Sequence, residues 1–279
     1  MGIGALGVST SAIFLDLSGT SPGTATFYRC ALAVPFLLPL VVRERRLDGA
    51  PTRRQVVYAA AAGLLFAGDA LWWTEAIGEV GAGLSTVLVN AQVLLVPLLA
   101  LLVDREPVSR RYVAVLPVMV AGVVLTGGVL DSGVQGSDPR AGTVHALLAA
   151  ACYSGFLFLL RRGGGDGKVV QNYLVVVATA AAVALCVGRR WGSMTLAPGW
   201  SELAWLVLIA LGGQVAGWLL VAFASPRLRP EVGAALLLLT PVGALVLGAV
   251  VLGEHPSPLQ LLGCGLVLVS AYVASARRR

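Results

Sequence analysis

Charge is what this sequence has least of: 12% of its 279 residues are Asp, Glu, Lys or Arg, whereas 57% are hydrophobic. A soluble domain carries about twice that charged share, so there is too little polar surface to solvate a globule, and a water-soluble fold is excluded. Histidine is limited to His145 and His255, and the only lysine is Lys168. The four cysteines, Cys30, Cys152, Cys186 and Cys264, lie inside apolar runs without CxxC spacing, so they read as small packing residues and no metal or disulfide framework is expected. No DxxD, HExxH or GxSxG stands at the end of an apolar run, which removes the usual bases for intramembrane transferase or protease chemistry. Gly2-Ile3-Gly4-Ala5-Leu6-Gly7 spells GxGxxG but follows no strand, and Gly163-Gly164-Gly165-Asp166-Gly167 lacks the Lys-Ser/Thr of a phosphate loop. Gly213 and Gly217 form GxxxG, a signature of close helix packing or of a dimer seam. No basic stretch precedes the first apolar run, so it is expected to be a span and not a cleaved leader.

What the chain has in abundance is apolar runs of about 20 residues, each long enough to cross a hydrocarbon core about 30 Å thick. Ten spans are predicted, at 2–19, 24–42, 55–77, 80–103, 111–130, 141–160, 169–188, 203–224, 232–252 and 258–276. An even number puts both termini on one side. With the termini inside, that side collects Arg43, Arg45, Arg46, Arg53, Arg54, Arg105, Arg110, Arg111, Arg161, Arg162, Lys168, Arg227, Arg229 and Arg277 to Arg279, whereas the other keeps Arg29, Arg140, Arg189 and Arg190. This excess of basic residues predicts cytoplasmic termini. It also accounts for the net charge of +6 without a nucleic-acid partner.

The chain repeats itself. One constant offset pairs Ala62 with Ala210, Leu71 with Leu219, Ala76 with Ala224 and Leu88 with Leu236, and it also pairs the more informative Glu106 with Glu254 and Ser109 with Ser257. Ser109 and Ser257 suit N-caps, Pro258 suits the first helical position, and a carboxylate is favoured beside a helix N-terminus, so these are expected to be structural residues. Five spans per half is odd, so the second half, 139–279, must enter the membrane upside down relative to the first, 1–131. The basic loop of Arg105, Arg110 and Arg111 accordingly corresponds to the uncharged Gly253, Pro258 and Leu259.

Four stretches carry a family likeness: Ser21-Pro22 followed by Phe27-Tyr28-Arg29-Cys30-Ala31-Leu32-Ala33; Thr74-Glu75-Ala76; Leu236 to Glu254 with Thr240-Pro241; and Asn90 to Glu106. In this order they resemble the EamA-like branch of the drug/metabolite transporter superfamily. The resemblance implies an all-α membrane protein of ten helices in two inverted five-helix repeats, with a central cavity lined by the first, third, fourth, sixth, eighth and ninth helices. The chain departs from the pattern at Val8-Ser9-Thr10-Ser11, at Asp16 and at Val93, where the counterpart of Pro241 falls one turn later at Pro97.

Polar groups inside spans are the candidates for substrate binding and translocation. Cys30 to Val42 is too short to span, so the second helix must begin earlier and draw Arg29 into the membrane. Asp16 is the expected ion-pair partner of Arg29, with substrate binding and snorkelling as the other readings. Asp69 is the most deeply placed acid, and intramembrane acids mark ion or substrate pathways. Trp72 and Trp73 offer it an aromatic wall, or belong to an interfacial belt. Asn90, Gln92, His145, Tyr153, Gln214, Trp218 and Thr240 complete the set, each also suited to an interhelical hydrogen bond.

The expectation is a multi-pass plasma-membrane carrier, not an enzyme and without a cofactor. It would move a small metabolite, amino acid or drug-like compound by alternating access, with efflux and proton coupling as its expected features. The alternatives are a carrier for nucleotide sugars or lipid-linked precursors, and an intramembrane transferase.

Overall fold

The computed structural model describes residues 2–105, 109–127, 137–163, 167–190, 194–220 and 237–275, and every regular element among them is a helix. In chain order these are α1 (Gly2–Ser18), α2 (Pro22–Ala31), α3 (Ala33–Asp48), α4 (Arg53–Val80), α5 (Ala82–Val89), α6 (Gln92–Asp104), α7 (Arg110–Thr126), α8 (Pro139–Gly163), α9 (Val169–Arg190) and α10 (Trp200–Leu208). A π-helix, π1 (Ile209–Gly217), continues α10; α11 (Leu239–Leu247) runs into a second, π2 (Gly248–Leu252), and α12 (Pro258–Ser275) ends the bundle.

Six helical runs are long and apolar enough to cross a membrane: Pro22–Asp48, Arg53–Val80, Ala82–Asp104, Pro139–Leu160, Val169–Arg189 and Trp200–Leu220. Gly2–Ser18, Leu239–Leu252 and Pro258–Ala274 are shorter apolar helices. The surface is apolar too, with Val57, Leu64, Leu102, Val250 and Val269 more than half exposed, which suits lipid and not water.

Two runs are broken. The second helix starts at Pro22, earlier than the predicted 24, with the Ser21 side chain accepting from the Thr24 N–H as its N-cap, and it breaks at Leu32. Pro35 has no N–H to offer Ala31, so the ladder yields there. Between α5 and α6 the Asn90 and Ala91 N–H groups bond three residues back, to Val87 and Leu88 (both 3.0 Å). The Thr86 carbonyl this strands is taken by Asn90 Nδ2 at 2.9 Å. Asn90 therefore repairs a break.

Packing pairs the first half of the chain with the second. Helix α4 lies along α8 and α9, α1 along π1, α10 and α11, α2 and α3 along α9, α5 along α11, and α7 along α12. The glycines set aside above explain one seam. A Cβ at Gly217 would come 2.9 Å from Val8 and 3.2 Å from the Gly4 carbonyl, and one at Gly7 would come 3.3 Å from the Gly212 carbonyl. GxGxxG and GxxxG are thus two sides of one close helix contact within the chain.

The loops hold the two ends of the bundle. At one end Glu44 accepts from the Val170 and Gln171 N–H groups (3.0 and 2.8 Å), Gln171 donates to the Gly49 carbonyl (3.1 Å), and Arg162 pairs with Asp104. At the other end Asp138 N–H donates to the Glu79 carbonyl at 3.3 Å, and Glu254 reaches across to the start of α5. Ser109 caps α7 through the Tyr112 N–H (3.2 Å), and Ser257 and Gln260 cap α12 reciprocally, with Pro258 in the first position as expected. Glu106 lies outside the described residues.

Glu254 serves a helix far from its own in sequence. Its carboxylate accepts from Ala82 N–H and from Gly83 N–H (3.0 Å), two groups with no partner in their own helix, in the field of its positive end. Gly81, at φ 95°, turns the chain tightly enough to present them. Burial pushes the Glu254 carboxyl above its usual range, the Gly83 and Ala82 N–H groups pull it back, and the Asp16 charge adds to the rise. Glu254→Ala, which orphans both N–H groups, is expected to destabilise the protein by about 1–3 kcal/mol, and Glu254→Gln by less. Thermal unfolding of the purified variants measures this; an unchanged midpoint for Glu254→Ala would mean that water replaces the carboxylate at no cost.

Candidate functional site

The deepest polar group is Arg29, in the last turns of α2 and only 6% exposed. Burial of a guanidinium among apolar helices is costly unless acceptors replace water. Its acceptor comes from the other half of the chain: Nε and Nη2 donate to Gln214 Oε1 at 3.1 and 2.8 Å. Gln214 is fully buried within π1, where the wider helical turn carries a polar side chain into the bundle. Its amide is oriented in turn by α9: Gln214 Nε2 donates to the Tyr173 hydroxyl (2.7 Å), which donates to the Gln214 carbonyl (2.9 Å). The guanidinium also lies over two rings of α4, 5.7 Å from the Phe66 centroid and 5.6 Å from that of Trp73.

Asp69 is 8% exposed on the same helix, three residues after Phe66 and four before Trp73, so all three share the face that Arg29 covers. It has no hydrogen-bond partner among the described residues. The Arg29 charge acts on it, and both charges act on Tyr153. Arg29 and Asp69 nevertheless do not form an ion pair. An aromatic wall closes the other side: Tyr153 stacks on Phe156 (5.7 Å), Trp218 meets Phe156 and Tyr153 edge-on (5.9 and 6.1 Å), and Tyr173 lies 6.3 Å from Trp218.

The structure thus brings together Arg29, Asp69, Trp73, Tyr153, Gln214 and Trp218 and leaves the other candidates elsewhere. The expected pairing of Asp16 with Arg29 is corrected: Asp16 is exposed, where it lines two cavities of about 230 and 360 Å³ near Glu254 and Glu79, whereas Arg29 turns to Gln214 and the α4 rings. Trp72 stacks on His145 (5.0 Å), whose Nδ1 lies 2.6 Å from Glu79. Thr240 donates to the Ala5 carbonyl at 3.2 Å, tying α11 to α1, and Gln92 is half-buried in the first turn of α6. All four cysteines are free thiols.

Phe66, Phe156 and Tyr173 belong to the site and were not among the candidates. Phe66 could have been found from its spacing to Asp69, and Tyr173 stands in the same kind of apolar run as Tyr153. Phe156 carries no polar atom and is legible only by its neighbours.

Gln214→Leu removes the acceptor of two guanidinium donors, and a hydrogen bond to a charged group contributes about 1.5–3 kcal/mol. Loss of thermal stability is expected, and the added change Arg29→Met should recover much of it. Strictly additive effects in that double-mutant cycle would refute the coupling.

The sequence pattern of the EamA-like transporter family matches residues 2–128 and again 140–276. No curated protein matches the chain. A solved structure titled "Crystal structure of protein" shares the fold at a TM-score of 0.67, with 21% identity over 98% of this chain and 94% of that one. The family match covers nearly the whole chain in two successive stretches, its members are membrane transporters, and the long apolar helices make this a multi-pass membrane protein. The chain belongs to the EamA-like transporter family.

Proposed function

We propose that the protein is a secondary carrier that exports a small organic molecule across the plasma membrane by alternating access. In this reading ten spans form two inverted five-helix repeats, 1–131 and 139–279. The packing favours it: exchanging each span with the one five positions on turns the α4–α8 contact into that of π1 with α1, and leaves α5–α11 and α7–α12 unchanged. In such architectures the substrate site lies near the midplane between the repeats.

The observation that carries the proposal is the buried Arg29 and Asp69 centre, whose contacts come from α2 and α4 of the first half and from α8, α9 and π1 of the second. Purely structural charges would be expected to neutralise each other. Here Asp69 stands without a hydrogen-bond partner among the described residues while a cation lies within its field, a state suited to binding and releasing a proton or a cationic group. Neighbouring repeats that rock about this centre would expose it to each side in turn, with the Glu254 contact at one end and the Glu44 and Arg162 contacts at the other as points that must part.

The excess of basic residues supports an orientation with the termini and the Arg162 end in the cytoplasm. In a variant lacking the native cysteines, Ser137→Cys is expected to react with an impermeant thiol reagent applied to intact cells, and Ala50→Cys only after permeabilisation. The reverse pattern would overturn the topology.

Asp69→Asn keeps the size and removes the charge. Folding and membrane insertion are expected to be retained, while transport in reconstituted vesicles is lost or stops responding to a pH gradient. Normal transport with unchanged pH dependence would return Asp69 to a structural role.

A further inference from the structure

Outside the buried centre, charge is concentrated at the turn that joins α3 to α4. Residues 43–54 hold five arginines, Arg43, Arg45, Arg46, Arg53 and Arg54, against two acids, Glu44 and Asp48. Glu44 is spent on the Val170 and Gln171 N–H groups of α9. All five arginines are exposed, and among the described residues none of them is in an ion pair. Arg54 lies over the Tyr58 ring, 5.5 Å from its centroid. Gln171 Nε2 donates to the Gly49 carbonyl at 3.1 Å, so the turn is pinned to α9 and its arginines are held on a fixed backbone. Helical spacing aligns these charges with exposed apolar side chains. Leu38, Val42 and Arg46 follow one another at four-residue intervals along α3, and Arg53, Val57 and Leu64 share a face of α4 at intervals of four and seven. Each helix thus presents an exposed apolar stripe that ends in an arginine at the same end of the bundle. Between them Leu47 is 74% exposed.

We infer that this turn binds the headgroup of an anionic phospholipid, with the acyl chains along the two stripes. The planar fork of an arginine donates two parallel N–H groups to two phosphate oxygens, and the Tyr58 ring holds Arg54 by its face while leaving the edge of the guanidinium free for them. A cluster of four to eight basic residues directly beside a span is the composition that attracts anionic lipid. Orientation in the membrane asks only that a loop be positive. It does not require that the arginines stand at the ends of apolar stripes, or that the neighbouring acid turn inward to α9. An acidic protein segment or a free phosphate would meet the charges but leave the stripes uncovered, whereas a phospholipid carries both parts in the right order. The inference needs a membrane protein and is independent of the carrier reading.

Purified full-length protein in an uncharged detergent is titrated with phosphatidylglycerol or with phosphatidylcholine of the same acyl chains. Binding is read as the rise in unfolding midpoint, since a ligand of the folded state stabilises it by mass action. Phosphatidylglycerol is expected to act at concentrations at least about tenfold lower than phosphatidylcholine. Raising the salt from about 0.1 to 1 M shortens the screening length from about 10 to 3 Å and should remove most of that preference. Arg45→Gln with Arg46→Gln takes two unpaired charges from the turn and, at about fivefold per arginine, should cost phosphatidylglycerol roughly 25-fold in potency while the midpoint without lipid stays unchanged. Arg53→Gln alone, on the other stripe, should cost about fivefold and supplies the reading if the double change does not fold. The charge-matched pair Arg110→Gln with Arg111→Gln, in the first turn of α7, should cost less than about threefold, because only screened long-range attraction is lost. Equal losses from the two pairs, or equal potency of the two lipids, overturn the inference. Millimolar glycerol 3-phosphate or oligoglutamate that matches the effect of phosphatidylglycerol overturns the assignment to lipid, since each carries the charge without the chains.

Discussion

A guanidinium held among apolar helices has to be supplied with acceptors by the protein itself, and the centre of this molecule is arranged around that requirement. Arg29 obtains a carbonyl oxygen from Gln214 and two aromatic faces from α4. Each supplier is fixed by something further out. Tyr173 orients the Gln214 amide, π1 carries it inward, and the close contact of π1 with α1 holds π1 in place. One charge on the second helix thereby draws together elements from both halves of the chain.

The ends of the bundle obey the same rule on the backbone. A helix N-terminus inside or beside a membrane leaves N–H groups that water cannot reach, and here carboxylates from distant parts of the chain take them. Glu254 serves α5 and Glu44 serves α9, one at each end, each joining the two halves. Under the carrier reading proposed above these end contacts would have to part, and hydrogen bonds to backbone N–H groups suit that better than apolar packing, because water can replace them when they open.

Several elements were legible in the sequence because each depends on local chemistry. The early start of the second helix follows from the short distance between Cys30 and Val42, and Ser21 with Pro22 supplies the cap and the first turn. The caps at Ser109 and Ser257 are local as well. Arg29 and Asp69 stood out because charge inside an apolar run is conspicuous, and six of the twelve polar candidates do meet in the centre. The partnership of Arg29 with Asp16 was not correct, since depth in the membrane fixes a level but not an azimuth, and two residues at one depth can face different neighbours. Trp72 and Trp73 illustrate this: adjacent in sequence and about 100° apart on the helix, one joins His145 and the other Arg29.

The sequence by itself determined the solvent, the approximate limits of most spans, the basic asymmetry of the loops and the presence of buried charge, because hydropathy, caps and proline act over one or two turns. Tertiary structure alone decided which polar groups face one another. That choice depends on helix rotation and on contacts between halves more than a hundred residues apart, as between Arg29 and Gln214 or Glu254 and Ala82. It also decided that Arg29 Nη1 and Trp73 Nε1 have no acceptor among the described residues, a property of three-dimensional packing that no spacing in the chain records.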